Sequence, residues 1–288
     1  MSNLLSIILP CRNESESLKT LLPQLKNSFP EAEIIVVDDA SEDDSVVIAQ
    51  QYAKVIQHRY NMGNGAAIKS GARQALGDIL IFMDADGQHD PKDISRLLEK
   101  YHEGFDMVVG ARGAESQANT ARRLGNGLYN NLASWMTGQN ILDLTSGFRI
   151  VNAKKFKEFL PLLPNTFSYP TTITMAFFRA GYSVGYLPIK AHQRIGKSHI
   201  KLLKDGVRFL MIIFKIGTLY APLKLFGPLS LLFLGLGTGY YTYTFLTAGR
   251  FTNMGMLLFT TSLFIFLIGL VSEQITQLLY IQKDHDRK

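Results

Sequence analysis

Two aspartates separated by a single residue, Asp84 and Asp86, directly follow a short apolar run of the chain. Carboxylates at this spacing can turn toward one divalent cation, and Gln88 offers a neutral oxygen close by. Hard oxygen ligands favour Mg²⁺ or Mn²⁺, and Mg²⁺ normally completes its coordination shell with substrate phosphates and water. The spacing therefore predicts a Mg²⁺ or Mn²⁺ site that receives a phosphorylated substrate.

Two further polar clusters also follow apolar runs. One extends from Pro10 to Glu14, and the other contains Asp38 and Asp39. In an open α/β sheet, ligands bind beyond the carboxyl ends of the strands, so these clusters should converge there. An aspartate at a strand end more often caps a helix or forms a turn, which makes each cluster weak on its own. Their common position predicts a ligand site at one edge of a sheet.

The elements that position these clusters alternate between strand-like and helical patterns. We predict strands at Leu4–Leu9, Glu33–Asp38, Ile79–Met83 and Met107–Gly110, and helices at Ser15–Ser28, Asp43–Ala53, Gly65–Leu76 and Pro91–His102. Such alternation is typical of an α/β domain in which helices cover both faces of a parallel sheet.

The glycine-rich stretch Asn61–Ile68 does not match a nucleotide-binding loop. It lacks the third glycine of the dinucleotide-binding fingerprint, it does not follow the first strand, and the sequence contains no Walker A motif. The single cysteine, Cys11, excludes internal disulfides and cysteine-based zinc clusters. We expect no nucleic-acid partner.

Two uncharged apolar runs, Leu225–Gly249 and Phe251–Ser272, are long enough to cross a membrane. Charged residues make up only 19% of the chain, against roughly 25% in a typical soluble protein, which agrees with two spans. A hydrophobic hairpin buried in a soluble core is the alternative. The loop between the runs contains one basic residue, Arg250, whereas both flanks are richer in lysine and arginine, so both termini should be cytoplasmic.

Residues 197–222 form a third predicted membrane element. Basic residues from Lys197 to Lys215 fall on one side of a helical projection, and apolar residues occupy the remaining surface. This pattern predicts a helix lying in the headgroup plane, with an amphipathic helix packed on the soluble domain as the alternative. The predicted organisation is a cytoplasmic α/β domain at 1–196, the interfacial helix at 197–222, and two spans with a short cytoplasmic tail at 223–288.

The ordered motifs resemble those of family 2 glycosyltransferases of the GT-A fold, specifically the bacterial dolichyl- and polyprenyl-phosphate sugar synthases with two C-terminal transmembrane helices. The matching segments are Pro10–Glu14, Val37–Ser45, Asn61–Ala66, Asp84–His89, Gly110–Arg112, Asp143–Arg149 and Arg194–Ser198. Two positions depart from the family pattern. Arg12 stands where many members have an aromatic residue, and His199 stands where a lysine is common.

The resemblance implies a role for each matched position. The nucleotide-sugar donor would contact Pro10, Arg12, Asn13, Glu14, Val37, Asp39, Asp84 and Ala85. The metal, Mg²⁺ or Mn²⁺, would be held by Asp84, Asp86 and Gln88. The catalytic set would be Asp84, Asp86, Arg112 and Arg149, and the acceptor phosphate would meet Arg149, Arg194, Lys197 and Ser198.

The resemblance also implies the activity. It is inverting transfer of a sugar from a nucleotide sugar, UDP-linked rather than GDP-linked, to polyprenyl phosphate on the cytoplasmic side of the inner (plasma) membrane. The alternatives are a processive polysaccharide synthase-like transferase and a non-catalytic membrane adaptor on the same fold. Processive synthases usually carry a Q-x-x-R-W motif, and the only tryptophan of this sequence, Trp135, is not part of such a motif. Small residues such as Gly235, Gly237 and Gly239 are typical of helix association, which leaves a homo-oligomer open.

Overall fold

One mixed sheet forms the centre of the N-terminal part of the molecule. The computed structural model describes residues 4–113, 120–166, 168–190, 214 and 217–285, and the chain divides into two units, Met1–Ile200 and Lys201–Lys288. Within the described residues, the strands are β1 (Leu5–Cys11), β2 (Glu33–Asp38), β3 (Lys54–Gln57), β4 (Ile79–Phe82), β5 (Met107–Arg112), β6 (Arg149–Asn152) and β7 (Val184–Ile189). Their order in the sheet is β3-β2-β1-β4-β6-β5-β7.

The four predicted strands run in the same direction, but the sheet also contains an antiparallel strand, β6, that the sequence pattern did not indicate. Strands β1 to β4 pair in parallel with one another, and β7 pairs in parallel with β5, but β6 runs antiparallel to both β4 and β5. Its first residue, Arg149, pairs with Phe82 at the end of β4 and with Val109 in β5. Because β6 starts at the carboxyl edge of its neighbours, the segment that precedes it lies at that edge.

The helices of this unit connect successive strands. They are α1 (Ser15–Ser28), α2 (Ser45–Ala49), α3 (Asn64–Gln74), α4 (Lys92–His102), α5 (Thr120–Thr137), α6 (Ala153–Glu158) and α7 (Tyr169–Arg179). The helix predicted at Asp43–Ala53 is shorter in the structure because the chain turns after it and enters β3. The sequence pattern missed β3, which has only four residues at the sheet edge and no fully buried side chain.

The core of the sheet domain follows the helical and strand periodicities of the sequence. Leu18, Leu22 and Leu25 lie on one face of α1 and are fully buried against β1 residues such as Ile7 and Leu9. Leucines spaced by three or four residues occupy the same side of a helix, so α1 presents one apolar face to the sheet. Burial of these apolar side chains stabilises the sheet, and the polar loops at its carboxyl edge are attached to it.

The second unit contains a helical hairpin. Helix α8 spans Pro222–Ala248 and helix α9 spans Asn253–His285, and both are long and apolar enough to cross a membrane. In each candidate span only 17% of the most apolar window is buried within the described structure, whereas a core helix of a soluble protein is mostly buried. The two predicted apolar runs are confirmed as helices. Most of the predicted interfacial helix, residues 197–213, 215 and 216, lies outside the described residues.

A pair of serines joins the two helices of this hairpin. The Ser230 hydroxyl donates to the Ser262 carbonyl oxygen at 2.9 Å, and the Ser262 hydroxyl donates to the Ser230 carbonyl oxygen at 2.8 Å. Gly237 adds a close approach, because a Cβ atom there would lie 3.3 Å from the Leu258 side chain. Small residues and interhelical hydrogen bonds are the usual means by which helices associate where water is absent.

Candidate functional site

The site is built around Asp84 and Asp86, which follow β4 at the carboxyl edge of the sheet. The chain turns sharply after them at Gly87, whose φ of 72° is a left-handed conformation that glycine adopts readily. In this turn Asp86 Oδ1 accepts a hydrogen bond from the Gln88 backbone N–H at 3.1 Å. The two carboxylates and Gln88 are therefore adjacent at one strand end.

Two elements from elsewhere in the chain contact Asp84. The Asn64 side-chain amide, at the start of α3, lies 3.4 Å from Asp84 Oδ1. Gly147, just before β6, packs so closely that a Cβ atom there would lie 2.9 Å from Asp84 Oδ2. The position of the Asp84 carboxylate is thus restricted from two sides.

The donor set at this strand end fits a hard divalent cation. Asp84, Asp86 and Gln88 offer oxygen atoms, which Mg²⁺ and Mn²⁺ prefer over other ligands. Among the described residues, no group of three or more histidine, cysteine, aspartate or glutamate side chains is arranged to hold a metal. A cation here would take its remaining ligands from an amide, from water or from substrate oxygens.

Arg112 is held beside the two aspartates by Asp143. Its Nε donates to Asp143 Oδ2 at 2.8 Å, its Nη2 donates to Asp143 Oδ1 at 3.1 Å, and Nη2 also donates to Thr145 Oγ1 at 2.6 Å. Burial by itself would lower the pKa of Arg112, but the hydrogen bond and charge of Asp143 and the nearby charges of Asp84 and Asp86 raise it. Arg112 is therefore a fixed cation with 29% of its side chain exposed.

Asp143 is itself anchored by the turn that precedes β6. Its Oδ1 accepts hydrogen bonds from the Thr145 and Ser146 backbone N–H groups, both at 3.0 Å. Burial would raise the pKa of Asp143, but the hydrogen bonds and charge of Arg112 and the backbone donors lower it. Asp143 therefore stays ionised and orients Arg112 through a two-point contact.

The structure places Arg149 differently from the prediction. Its side chain is fully buried beneath the sheet edge, where Nη1 donates to the Pro170 carbonyl oxygen and to Thr174 Oγ1, both at 3.1 Å, and Nη2 donates to the Ser146 carbonyl oxygen. These acceptors belong to α7 and to the turn before β6. Arg149 thus holds the protein interior together and does not face a phosphate, which corrects its assignment as a catalytic and acceptor-binding residue.

The loops after β1 and β2 are joined to each other. The Asn13 backbone N–H donates to Ser41 Oγ at 2.9 Å, and Asn13 Oδ1 accepts from the Glu42 backbone N–H at 2.8 Å. Asn13 and Ala40 both adopt positive φ values, 55° and 60°, which are uncommon for residues with a side chain. The asparagine predicted to bind the donor therefore also fixes the shape of both loops, next to the exposed side chain of Arg12.

Asp39 directly follows β2, and both of its carboxylate oxygens have hydrogen-bond partners. His58 Nδ1 lies 2.8 Å from Asp39 Oδ1, the Met62 backbone N–H donates to the same oxygen at 2.7 Å, and the Gly63 backbone N–H donates to Oδ2 at 2.8 Å. Burial would raise the pKa of Asp39, but the hydrogen bonds from His58, Met62 and Gly63 lower it. Asp39 is therefore a buried, ionised carboxylate at the site edge.

Three of the predicted donor contacts have buried side chains. Pro10 lies within β1, and the Val37 and Ala85 side chains are exposed by 0% and 1%. Side chains in these positions serve the core, so only their backbone groups remain available for a ligand. Glu14 is partly exposed at the start of α1, as a donor contact requires.

The glycine-rich stretch allows two backbone segments, the start of α3 and the segment before α7, to pack closely against each other. A Cβ atom at Gly63 would lie 2.4 Å from the Asn165 carbonyl oxygen, and one at Gly65 would lie 2.1 Å from the Pro164 carbonyl oxygen. The Ala66 backbone N–H donates to the Asn165 carbonyl oxygen at 3.2 Å. These glycines let the segment before α7 pack directly on the start of α3.

The remaining predicted phosphate contacts, Arg194, Lys197 and Ser198, lie outside the described residues. Sequence reasoning missed four residues that the structure brings to the site, namely Asn64, Asp143, Gly147 and His58. Three of them, Asn64, Asp143 and Gly147, belong to segments quoted for the family resemblance, but no spacing rule linked them to Asp84 or Arg112. The position of Asp143 and Gly147 depends on the antiparallel course of β6.

Two family models match this chain. Residues 6–160 match the model described as glycosyl transferase family 2, and residues 221–278 match the one described as the GtrB C-terminal hairpin. The first match covers the strands and loops that carry Asp39, Asp84, Asp86 and Arg112. The second covers the two apolar helices.

Curated relatives share the sheet domain. The undecaprenyl-phosphate 4-deoxy-4-formamido-L-arabinose transferase of Proteus mirabilis is 32% identical over 189 residues, which is 59% of this chain and 58% of that protein. The protein of the same name from Pseudomonas savastanoi pv. phaseolicola is 36% identical over 188 residues, covering 58% of this chain and 55% of its own. The chain thus spans little more than half the length of these relatives.

Solved structures with a similar fold include glucosyl-3-phosphoglycerate synthase from Mycobacterium tuberculosis. Its complex with Mn²⁺, UDP and glucosyl-3-phosphoglycerate superimposes with a TM-score of 0.60 at 18% identity, over 75% of this chain and 80% of that one. Its complex with Mn²⁺, UDP-glucose and phosphoglyceric acid gives 0.61 at the same identity and coverage. The likeness confirms the predicted α/β fold of the GT-A kind.

Proposed function

Because this chain belongs to glycosyl transferase family 2, we propose that it transfers a sugar from a nucleotide sugar to the phosphate of a polyprenyl phosphate. The observation that carries the proposal is the grouping of Asp84 and Asp86 beside Arg112 at one edge of the sheet, in a chain that also has a two-helix apolar hairpin. The names of the undecaprenyl-phosphate relatives support the acceptor. The UDP-bound neighbours support a UDP-linked donor over a GDP-linked one.

The reaction needs charge neutralisation more than it needs a base. A phosphate monoester has its second pKa near 6, so a lipid phosphate is mostly dianionic at cytoplasmic pH. Its nucleophilic oxygen then carries no proton that a base would have to remove. That oxygen forms a bond to the anomeric carbon of the sugar from the face opposite the diphosphate. The bond from that carbon to the diphosphate oxygen breaks, and the nucleoside diphosphate leaves with the electron pair and with inversion at the carbon.

The residues at the sheet edge divide the binding work. Asp84, Asp86 and Gln88 would hold Mg²⁺ or Mn²⁺, which supplies positive charge for the leaving diphosphate. The neighbours that contain Mn²⁺ support this assignment. Arg112, oriented by Asp143, would contribute a second positive charge next to the same phosphates.

The nucleoside end of the donor would lie against the loops after β1 and β2. Arg12, Asn13, Glu14 and Asp39 supply polar groups there, while Pro10, Val37 and Ala85 can contribute only backbone contacts. The acceptor phosphate would meet Arg194, Lys197 and Ser198, which precede the predicted interfacial helix. Arg149 has no role in this scheme.

The proposed activity is tested by assaying the full chain in detergent with undecaprenyl phosphate and a panel of radiolabelled UDP- and GDP-sugars. We expect one sugar to appear on the lipid, in a reaction that requires Mg²⁺ or Mn²⁺ and is lost when undecaprenol replaces the phosphate. A polymeric product would indicate a processive synthase. Absence of both transfer and nucleotide release across the panel would indicate an adaptor.

The proposed location is the inner membrane, with the sheet domain and both termini on the cytoplasmic side. This orientation predicts that the hairpin loop, residues 249–253, is external. A cysteine replacing Asn253, in a Cys11→Ser background, should react with a membrane-impermeant thiol reagent in intact cells. Labelling that occurs only after the cells are permeabilised would reverse the orientation, and Cys11→Ser alone is the matched control.

A further inference from the structure

A chain of three side chains connects the nucleoside side of the site to helix α3. His58 Nδ1 lies 2.8 Å from Asp39 Oδ1, and His58 Nε2 lies 2.9 Å from Ser70 Oγ on α3. The His58 and Asp39 side chains are only 7% and 6% exposed. The contacts are therefore shielded from water. Hydrogen bonds are stronger in the protein interior than in water, so these two contacts constrain the orientation of the His58 ring.

The backbone holds His58 in place from the other direction. Its N–H donates to the Asp38 carbonyl oxygen at 2.9 Å, directly after β3. The ring therefore starts from a fixed strand end and spans the gap between Asp39 and α3. Because both nitrogens have partners, one ring orientation satisfies the Asp39 carboxylate and the Ser70 hydroxyl together.

The chemistry of the three groups assigns the protons. Asp39 is ionised and can only accept, so His58 Nδ1 must carry a hydrogen that it donates to Oδ1. In the neutral ring, Nε2 is then an acceptor and takes a hydrogen bond from the Ser70 hydroxyl. Of the two tautomers of the neutral ring, the contact with Asp39 therefore favours the one with its hydrogen on Nδ1.

The same three residue types form the nucleophilic triads of hydrolases, but Ser70 does not have the surroundings of a nucleophile. It lies inside α3, where the backbone N–H groups near it donate to carbonyl oxygens of the helix itself. A serine nucleophile needs free N–H donors that stabilise the oxyanion formed on its substrate. Ser70 therefore serves as an anchor for the His58 ring.

Helix α3 links both ends of the candidate site through this contact. Asn64 at its start lies beside Asp84, and Ser70 two turns further on holds the ring that contacts Asp39. The donor proposed above would touch Asp39 with its nucleoside and the Asp84 region with its diphosphate. A rigid helix that fixes both carboxylates sets the distance between these two parts of the donor.

We propose that His58 is a positioning residue for donor binding, which orients the Asp39 carboxylate toward the nucleoside while Ser70 fixes the orientation of the ring. This inference rests on the proposed function. His58 touches neither the diphosphate nor the anomeric carbon, so it acts on donor affinity and leaves the chemical step unchanged. Its contribution is made through Asp39 alone.

Two substitutions separate the contacts of the two ring nitrogens. In His58→Asn the side-chain amide can replace Nδ1 as the donor to Asp39, whereas in His58→Gln it reaches the position of Nε2 near Ser70. We expect His58→Ala and His58→Gln to weaken UDP binding about tenfold, because the loss of one hydrogen bond to a charged group costs about tenfold in affinity. We expect the UDP affinity of His58→Asn, which keeps the donor to Asp39, to stay within about threefold of wild type. The exposed His102 on α4 provides the control, His102→Ala, with no expected change.

The measurements use the full chain in detergent. Calorimetric titration with UDP and Mn²⁺ gives the affinity, donor kinetics should show a raised KM with kcat within about threefold, and thermal unfolding checks the fold of each variant. Nitrogen-15 spectra of histidine-labelled protein report the tautomer of His58 without any ligand, and His58→Asn identifies its signal. An Nδ1–H signal that is altered in Asp39→Asn supports the assignment.

The possible failures are distinguishable. If wild type binds neither UDP nor GDP and transfers no sugar, the proposed function fails and the inference fails with it. If wild type binds UDP but His58→Gln binds it equally well, only the inference is overturned. An Nε2–H tautomer, or a loss of affinity in His58→Asn as large as in His58→Ala, also overturns it, because Asp39 would then not depend on the Nδ1 donor.

Discussion

Asp86→Asn should lower sugar transfer at saturating substrates by at least about a hundredfold while the protein remains folded. Asparagine has nearly the volume of aspartate, and its amide oxygen can still accept the hydrogen bond that Asp86 Oδ1 receives from the Gln88 backbone N–H. The substitution removes the negative charge of a residue that is only 9% exposed. In the proposed scheme Asp86 acts by holding the cation that neutralises the leaving diphosphate, and losing such charge stabilisation typically costs about 10²–10³ in turnover.

The measurement is single-sugar transfer to undecaprenyl phosphate over a range of Mg²⁺ and Mn²⁺ concentrations. Asp78→Asn is the matched control, because Asp78 is an exposed aspartate just before the same strand β4, at the end away from the site. The control should retain wild-type turnover. Asp86→Asn turnover within about threefold of wild type at saturating metal would show that this carboxylate does not hold the cation.

The position of Asp86 could be predicted from the sequence because the relevant pattern is local. A fully buried run, Ile79–Phe82, ends directly before the two aspartates, and a parallel strand of this kind places the residues after it at the carboxyl edge of the sheet. The same reasoning located Asp39 after β2. In both cases, a few consecutive residues contain the strand, its end and the polar group.

Arg149 shows where local reasoning fails. The family resemblance implied a phosphate contact for Arg149, but the strand that it begins runs antiparallel, and its side chain is buried against α7. The acceptors that receive its hydrogens, the Pro170 carbonyl oxygen and Thr174 Oγ1, are more than twenty residues away in sequence. A buried arginine needs such partners, and no spacing pattern identifies them in advance.

The contact between Asp143 and Arg112 could not be predicted from the sequence for a related reason. The two residues are 31 positions apart and meet only because β6 inserts between β4 and β5. The alternation of helices and strands predicted a parallel sheet and did not indicate β6, and a parallel strand at this position would place the segment before it at the opposite edge. One reversed strand therefore determines which side chains complete the site.

Gly147→Ala should reduce turnover about ten- to a hundredfold without unfolding the protein. The added Cβ would lie 2.9 Å from Asp84 Oδ2 and 3.4 Å from Asp84 Cγ, so the Asp84 carboxylate must rotate or move away. The nearest atoms are the end of a single side chain, which can move without disturbing the sheet. A displacement of about 1 Å in a positioning group commonly costs on the order of a hundredfold in rate.

The displaced group is the one proposed to hold the metal, so the effect should depend on the cation. We expect Gly147→Ala to need a higher concentration of Mn²⁺ for half-maximal transfer, and we expect its turnover to recover in part as Mn²⁺ is raised. A carboxylate that has rotated still carries its charge, so the cation can be regained at higher concentration, whereas Asp86→Asn cannot recover in this way.

Gly127→Ala is the matched control, since Gly127 lies in helix α5, nothing lies within 4 Å of where its Cβ would be, and alanine is favoured over glycine in a helix interior. That variant should keep wild-type turnover and the wild-type response to Mn²⁺. If Gly147→Ala behaves in the same way, the close approach to Asp84 has no part in holding the cation. If it loses activity but its response to Mn²⁺ is unchanged, the methyl group acts on another part of the site, and Asp84 is not the residue through which Gly147 matters.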